Sequence, residues 1–110
     1  MNFFIVDIGG TNLRIAILNS KGEILKKERF NTPKDFIKIS EVIEKNYKNF
    51  RKEYSLEEII GISVAGAVFK DEVWLPNISK ERFPLKSFLS KKMKIPISIL
   101  DDRISGALGE

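Results

Sequence analysis

Val6-Asp7-Ile8-Gly9-Gly10-Thr11-Asn12 constrains this chain more than any other stretch. Phe3-Phe4-Ile5-Val6 before the glycines is continuously apolar, as in a strand covered on both faces. Leu13-Arg14-Ile15-Ala16-Ile17 after them alternates, with Leu13, Ile15 and Ile17 on one face. Two strands must therefore reverse across a turn holding two glycines, a threonine and an asparagine, with one carboxylate at its entrance. Such a turn lets backbone N–H groups approach a phosphate, and Asp7 stands beside them for a metal ion. The plain alternative is a tight hairpin in which glycine only supplies a positive φ.

The rest of the chain reads as α/β. Residues 2–8 and 12–18 are predicted strands. Asn19-Ser20-Lys21-Gly22 signals a turn, and Glu23 to Phe30 forms a third strand, so the chain opens as an antiparallel meander. Thr32-Pro33-Lys34-Asp35 is expected to start a helix, with Thr32 as its cap, Pro33 in the first helical position and Asp35 at the positive end of the dipole. Phe36, Ile39, Ile43, Tyr47, Phe50 and Tyr54 follow at helical spacing and form one core-facing stripe. Ser55-Leu56-Glu57-Glu58 has a capping-box pattern, but only a short turn fits before a buried strand over Ile59–Val64. Ala65-Gly66-Ala67 breaks that strand. Val68-Phe69 and Val73-Trp74-Leu75 flank a hairpin turn at Lys70-Asp71-Glu72, and Pro76-Asn77 ends it.

Pro84 opens a second helix with Leu85, Phe88, Leu89 and Met93 on one face. Ile95 to Leu100 is a last strand, and Arg103 to Glu110 has a helical pattern. Strands that arrive through helical crossovers pair in parallel. The predicted fold is a mixed five-stranded sheet whose first three strands are the antiparallel meander, with helices on both faces.

Composition removes several kinds of chemistry. The chain has no cysteine and no histidine, so disulfides, thiolate metal sites, imidazole bases and imidazole-ligated zinc are excluded, and acid–base work falls to carboxylates. With 110 residues it suits one domain rather than two. No apolar run approaches the roughly 20 residues of a membrane span. No basic segment precedes the first apolar run, so a cytoplasmic protein without a signal peptide is expected. The net charge of +4 comes from lysines scattered along the chain, without tight clusters among aromatics, so nucleic acid is not an expected partner.

In a parallel α/β sheet, ligands collect at the carboxyl ends of the strands. Asp7 ends the first strand, Gly66 follows the Ile59–Val64 strand, and Asp101 and Asp102 end the last one. Three separated pieces of sequence converge on one edge. Asp101 and Asp102 as simple helix caps, and Gly66 as a simple strand end, are the structural alternatives.

At this point the chain resembles a known family. Val6-Asp7-Ile8-Gly9-Gly10-Thr11-Asn12-Leu13-Arg14 resembles the first phosphate motif of sugar kinases in the actin/hexokinase superfamily, nearest to the ROK-type and bacterial-type glucokinases. Gly61-Ile62-Ser63-Val64-Ala65-Gly66-Ala67-Val68 resembles their sugar-side loop. Trp74-Leu75-Pro76-Asn77-Ile78 and Leu100-Asp101-Asp102 with Ala107-Leu108-Gly109-Glu110 resemble two further segments, in family order. The resemblance implies a ribonuclease-H-like (actin-like ATPase) domain. It implies ATP and Mg²⁺ as cofactors and a hexose, glucose first, as substrate. Asp102 matches the catalytic base, which would take the proton of the sugar 6-hydroxyl. Asp7 would hold magnesium through water. Gly9, Gly10, Thr11 and Asn12 would face ATP phosphates, and Gly66, Asn77, Asp101 and Asp102 would face the sugar.

The sequence also departs from the family pattern. Asp101 stands in place of the usual asparagine, which loses two N–H donors and sets a second charge beside Asp102. Ile104 replaces a second asparagine, and Ala65 and Ala67 replace common prolines. The second phosphate loop, the adenosine pocket and the zinc-binding motif of many ROK members are not among these residues. The expectation is therefore a single N-terminal sugar-kinase lobe, 1–110, lacking the C-terminal ATP-binding lobe and inactive alone. It would act with a separate C-terminal lobe, as half of a split kinase or as a homo-oligomer. A non-catalytic sugar-binding or regulatory module is the alternative. Family repressors carry a DNA-binding segment ahead of this motif, which starts here at residue 7. A nuclease of the same fold would need more clustered carboxylates than Asp7, Asp101 and Asp102.

Overall fold

A computed structural model describes residues 1–100 of the chain. Its strands are β1 (Asn2–Ile8), β2 (Asn12–Leu18), β3 (Ile24–Asn31), β4 (Leu56–Val64), β5 (Ala67–Phe69), β6 (Glu72–Trp74) and β7 (Ile97–Leu100), and its helices are α1 (Phe36–Phe50) and α2 (Leu85–Met93). Five strands form one sheet in the order β3-β2-β1-β4-β7. The meander β1-β2-β3 is antiparallel, and β4 and β7 join in parallel after α1 and α2. β5 and β6 form a separate hairpin. The mixed five-stranded sheet is the one the sequence predicts.

The register explains the alternation in the sequence. Ile17, Phe4 and Ile60 lie side by side across β2, β1 and β4. Ile15, Val6 and Ile62 form the next row, and Leu13, Ile8 and Val64 the third. All nine are buried. A slip of one residue in any strand would turn its share of these rows to the other face, so the apolar pattern fixes the register. α1 covers the rows with Phe36, Ile39, Ile43, Tyr47 and Phe50, and α2 adds Leu85 and Leu89. The Tyr47 ring meets the Phe4 ring edge-on at 5.2 Å between centroids, and its hydroxyl donates to the Glu57 carbonyl.

Both described helices therefore pack on the Phe4-Val6-Ile8 face. The opposite face presents a row of Ala16, Ile5 and Gly61 and a row of Arg14, Asp7 and Ser63. The helix expected over Arg103–Glu110 lies outside the described residues.

Several boundaries differ from expectation for local reasons. Thr32 does not cap α1 and Pro33 is not its first residue. Asp35 is the cap, accepting the Ile37 N–H at 2.8 Å, while the Thr32 hydroxyl is drawn to the Gly9 carbonyl. α1 stops at Phe50 rather than running to Tyr54, because the Glu53 and Tyr54 N–H groups both turn back on the Phe50 carbonyl and the Asn2 N–H donates to the Ser55 carbonyl. That pairing starts β4 at Leu56, so the capping-box pattern lies at a strand entry. Leu75 leaves the hairpin and is buried in the core. β7 starts at Ile97, after Lys94 closes α2 in the left-handed region.

Asp35→Ala removes the side chain that caps α1, whose first turn holds no acidic residue. Thermal unfolding should show a loss of about 1 kcal/mol. An unchanged melting temperature would mean that Thr32 or water already serves that end.

Candidate active site

The carboxyl edge of the sheet is where β1, β4 and β7 end together. Asp7 is the register partner of Ser63, and Ser63 of Leu100. Adjacent strands lie about 4.8 Å apart, so β1 and β7 are separated by about 10 Å at this level. Asp101 and Asp102 follow Leu100 directly in the sequence but lie outside the described residues. The predicted base and its acidic neighbour therefore have no geometry in this structure.

Asp7 is almost fully buried, at 3% exposure. Arg14 Nη1 approaches its Oδ2 at 3.5 Å. Arg14 lies on the face of β2 opposite Leu13 and Ile15, where the alternation puts it, and there it faces the carboxylate. The signal was present: once Gly9 and Asn12 close the turn, two residues back along β1 and two forward along β2 give Asp7 and Arg14.

The turn is built for close approach. Neither Gly9 nor Gly10 has a positive φ; among the described glycines only Gly22 does. A Cβ on Gly9 would stand 3.0 Å from the Asn12 carbonyl oxygen, and one on Gly10 would stand 2.9 Å from Asn77 Nδ2. The hairpin reading in which glycine supplies only handedness therefore fails at both positions. Gly9 N–H donates to the Asn12 carbonyl at 2.9 Å and is engaged within the turn. Among the described residues no hydrogen bond takes the N–H of Gly10 or Thr11.

Gly10 and Asn77 are far apart in the sequence and meet here. Asn77 arrives on the loop that leaves β6, where the Ile78 and Ser79 N–H groups both donate to the Leu75 carbonyl. Gly66 sits at the β4 exit, and a side chain there would overlap the Trp74 carbonyl. The β5–β6 hairpin thus folds back over the end of β4, and Gly66 has a structural reason as well as a predicted sugar-facing one. Thr32 and Lys34 also reach the turn: the Thr32 hydroxyl donates to the Gly9 carbonyl at 2.8 Å, and Lys34 Nζ to the Gly10 carbonyl at 2.6 Å. Neither is expected at this site from the sequence, where Thr32 reads as a helix cap and Lys34 as part of the helix start.

Gly10→Ala tests the contact with Asn77. The clash is with the end of a flexible side chain, so unfolding free energy should change by about 1 kcal/mol or less. The Asn77 side-chain amide resonance should move in an NMR spectrum of the labelled chain. An unmoved resonance would place Asn77 away from the turn.

Magnesium binds hard oxygen ligands and retains much of its water. Among the described residues there is no group of three or more acidic or other metal-ligating side chains. Asp7 is one carboxylate already facing a guanidinium. It fits a hydrated ion held mainly by water and phosphate oxygens. No described helix is long and apolar enough to cross a membrane.

Residues 4–110 match the ROK family. A glucokinase from Halalkalibacterium halodurans is 31% identical over 114 residues, covering 96% of this chain and 34% of that protein. The xylose repressor of Caldicellulosiruptor bescii is 28% identical, covering 96% of this chain and 29% of the repressor. A crystal structure of a ROK family glucokinase from Streptomyces griseus, in complex with glucose and AMPPNP, superposes with a TM-score of 0.80 at 27% identity, over 93% of this chain and 33% of that one. The chain spans about a third of the length of these relatives.

Proposed function

The chain belongs to the ROK family, and on that premise we propose that it is the sugar-binding N-terminal lobe of an ATP-dependent hexose kinase, with glucose the first substrate to test. The observation that carries this reading is the meeting of the Gly9–Asn12 turn with Asn77 at the carboxyl edge of β1 and β4. A turn with two N–H groups lacking partners among the described residues suits phosphate oxygens. An exposed amide side chain against that turn suits a sugar hydroxyl.

In this reading each group has a limited task. Gly10 and Thr11 would direct N–H groups at the phosphates, and Asn12 would help hold them. Asp7 would orient the water shell of magnesium, with Arg14 fixing the carboxylate. Magnesium, when bound, would neutralise charge on the transferring phosphoryl group. Asn77 and Gly66 would line the sugar, the glycine allowing backbone approach, with Asp101 taking the family's asparagine position. Asp102 would accept the proton of the 6-hydroxyl as its oxygen attacks the γ-phosphorus. Phosphoryl transfer relies mainly on positioning and charge neutralisation, so this small set of groups is chemically sufficient on the sugar side.

The test is ATP-dependent phosphorylation of glucose by the 110-residue chain, alone and complemented with the C-terminal part of a ROK glucokinase. Little turnover alone and clear turnover in the complemented form is the expected result. A second reading, a sugar-binding regulatory module, is favoured by the similarity to a xylose repressor. It holds instead if the complemented chain binds a sugar and phosphorylates none.

A further inference from the structure

Three successive carbonyls of the turn are taken by one short segment. Thr32 Oγ1 donates to Gly9 O at 2.8 Å, Lys34 Nζ donates to Gly10 O at 2.6 Å, and Thr32 N–H donates to Thr11 O at 2.9 Å. The described peptides are all trans. In a trans peptide the carbonyl and the following N–H point in opposite directions. Fixing the carbonyls of residues 9, 10 and 11 on the Thr32–Lys34 side therefore directs the N–H groups of Gly10, Thr11 and Asn12 away from it. Successive N–H groups on one side of a turn form an anion-binding concavity.

We propose that Thr32 and Lys34 are positioning residues that hold the turn in its anion-binding form. This rests on the reading of the turn as a phosphate site, and makes α1's leading segment part of that site. Thr32 is the inner clamp: it is 6% exposed and makes two of the three bonds. Lys34 is the outer clamp, an exposed ammonium on the carbonyl side of the turn. Its positive charge adds a longer-range attraction for an anion to the alignment that Thr32 supplies. Without the clamps, any of the three peptides can rotate and present an oxygen to the ligand, which repels it.

The probes are inorganic tripolyphosphate and ATP, titrated into the isotopically labelled 110-residue chain and followed by amide NMR. In the parent, the Gly10 and Thr11 resonances should shift on titration. Thr32→Val removes the hydroxyl at nearly constant volume and should weaken binding of both probes about tenfold, the value of one hydrogen bond. Thr32→Ser should restore it. Lys34→Met should weaken binding and reduce its salt dependence, whereas Lys34→Arg should retain both. Unfolding midpoints measured alongside separate loss of alignment from loss of fold.

A parent that binds, with Thr32→Val and Lys34→Met binding equally well, overturns the clamp and leaves the phosphate reading standing. A parent that shifts at neither glycine nor threonine overturns both. A Thr32→Val variant whose weaker binding is not restored by serine also overturns the clamp, since volume rather than the hydroxyl would then be responsible.

Discussion

Asp102→Ala should reduce phosphoryl transfer by at least about 10²–10⁴-fold in the complemented chain, the range expected for a lost general base. Sugar binding, followed by calorimetry, should remain measurable. A split of this kind, rate lost and affinity kept, belongs to a group that acts on the reacting hydroxyl. The effect should be larger than that of Asp101→Asn, which restores the family's residue and removes a neighbouring charge. Removing that charge should move the acidic limb of the rate profile to lower pH, because a nearby carboxylate disfavours ionisation of the base. Full activity in Asp102→Ala would sink the base assignment. An unmoved limb in Asp101→Asn would mean that the two carboxylates do not face each other.

Gly66→Ala should produce the largest loss of stability among the site variants. The added methyl has no space, since its neighbour is the Trp74 carbonyl, a backbone atom held by the β5–β6 hairpin, with Leu75 beside it in the core. Overpacking of this kind costs roughly 1–3 kcal/mol, and a fixed backbone neighbour places the cost toward the upper part of that range. Gly10→Ala is the control, because there the obstacle is a side-chain amide that can move. Denaturant melts of the two variants should differ clearly. Equal melts would show that the hairpin yields as easily as Asn77 does.

The difference between those two glycines also shows what the sequence could and could not reveal. Alternation in Leu13, Ile15 and Ile17 and the unbroken run Phe3–Val6 were enough to place the central strands, because a two-residue period leaves only one face for the apolar set. The convergence of Asp7 and Gly66 on one edge followed from strand direction alone. Thr32 was misread because a threonine before a helical stripe ordinarily caps it, and nothing local announces that a carbonyl 23 residues earlier offers a better partner. The Arg14–Asp7 pair is less legible, since the two residues lie on adjacent strands and their meeting is found only by counting across the turn. The contact between Gly10 and Asn77 depends on how the β5–β6 hairpin folds over β4, a tertiary arrangement with no periodic signature.

The strand order also bears on how the molecule stays dispersed. β3 is an outer strand of the sheet, and along its length it carries Lys26, Lys27, Glu28 and Arg29. An open strand edge is a template for pairing with a stranger, and charge, lysine above all, is what discourages that pairing. Much of the surplus positive charge thus reads as protection against edge-to-edge aggregation, at a strand where exposed Ile24 and Leu25 would otherwise invite it. At the opposite border of the described sheet, β7 has no charge in Ile97–Leu100. A solution of this chain should accordingly lose solubility first when the lysines of β3 are neutralised.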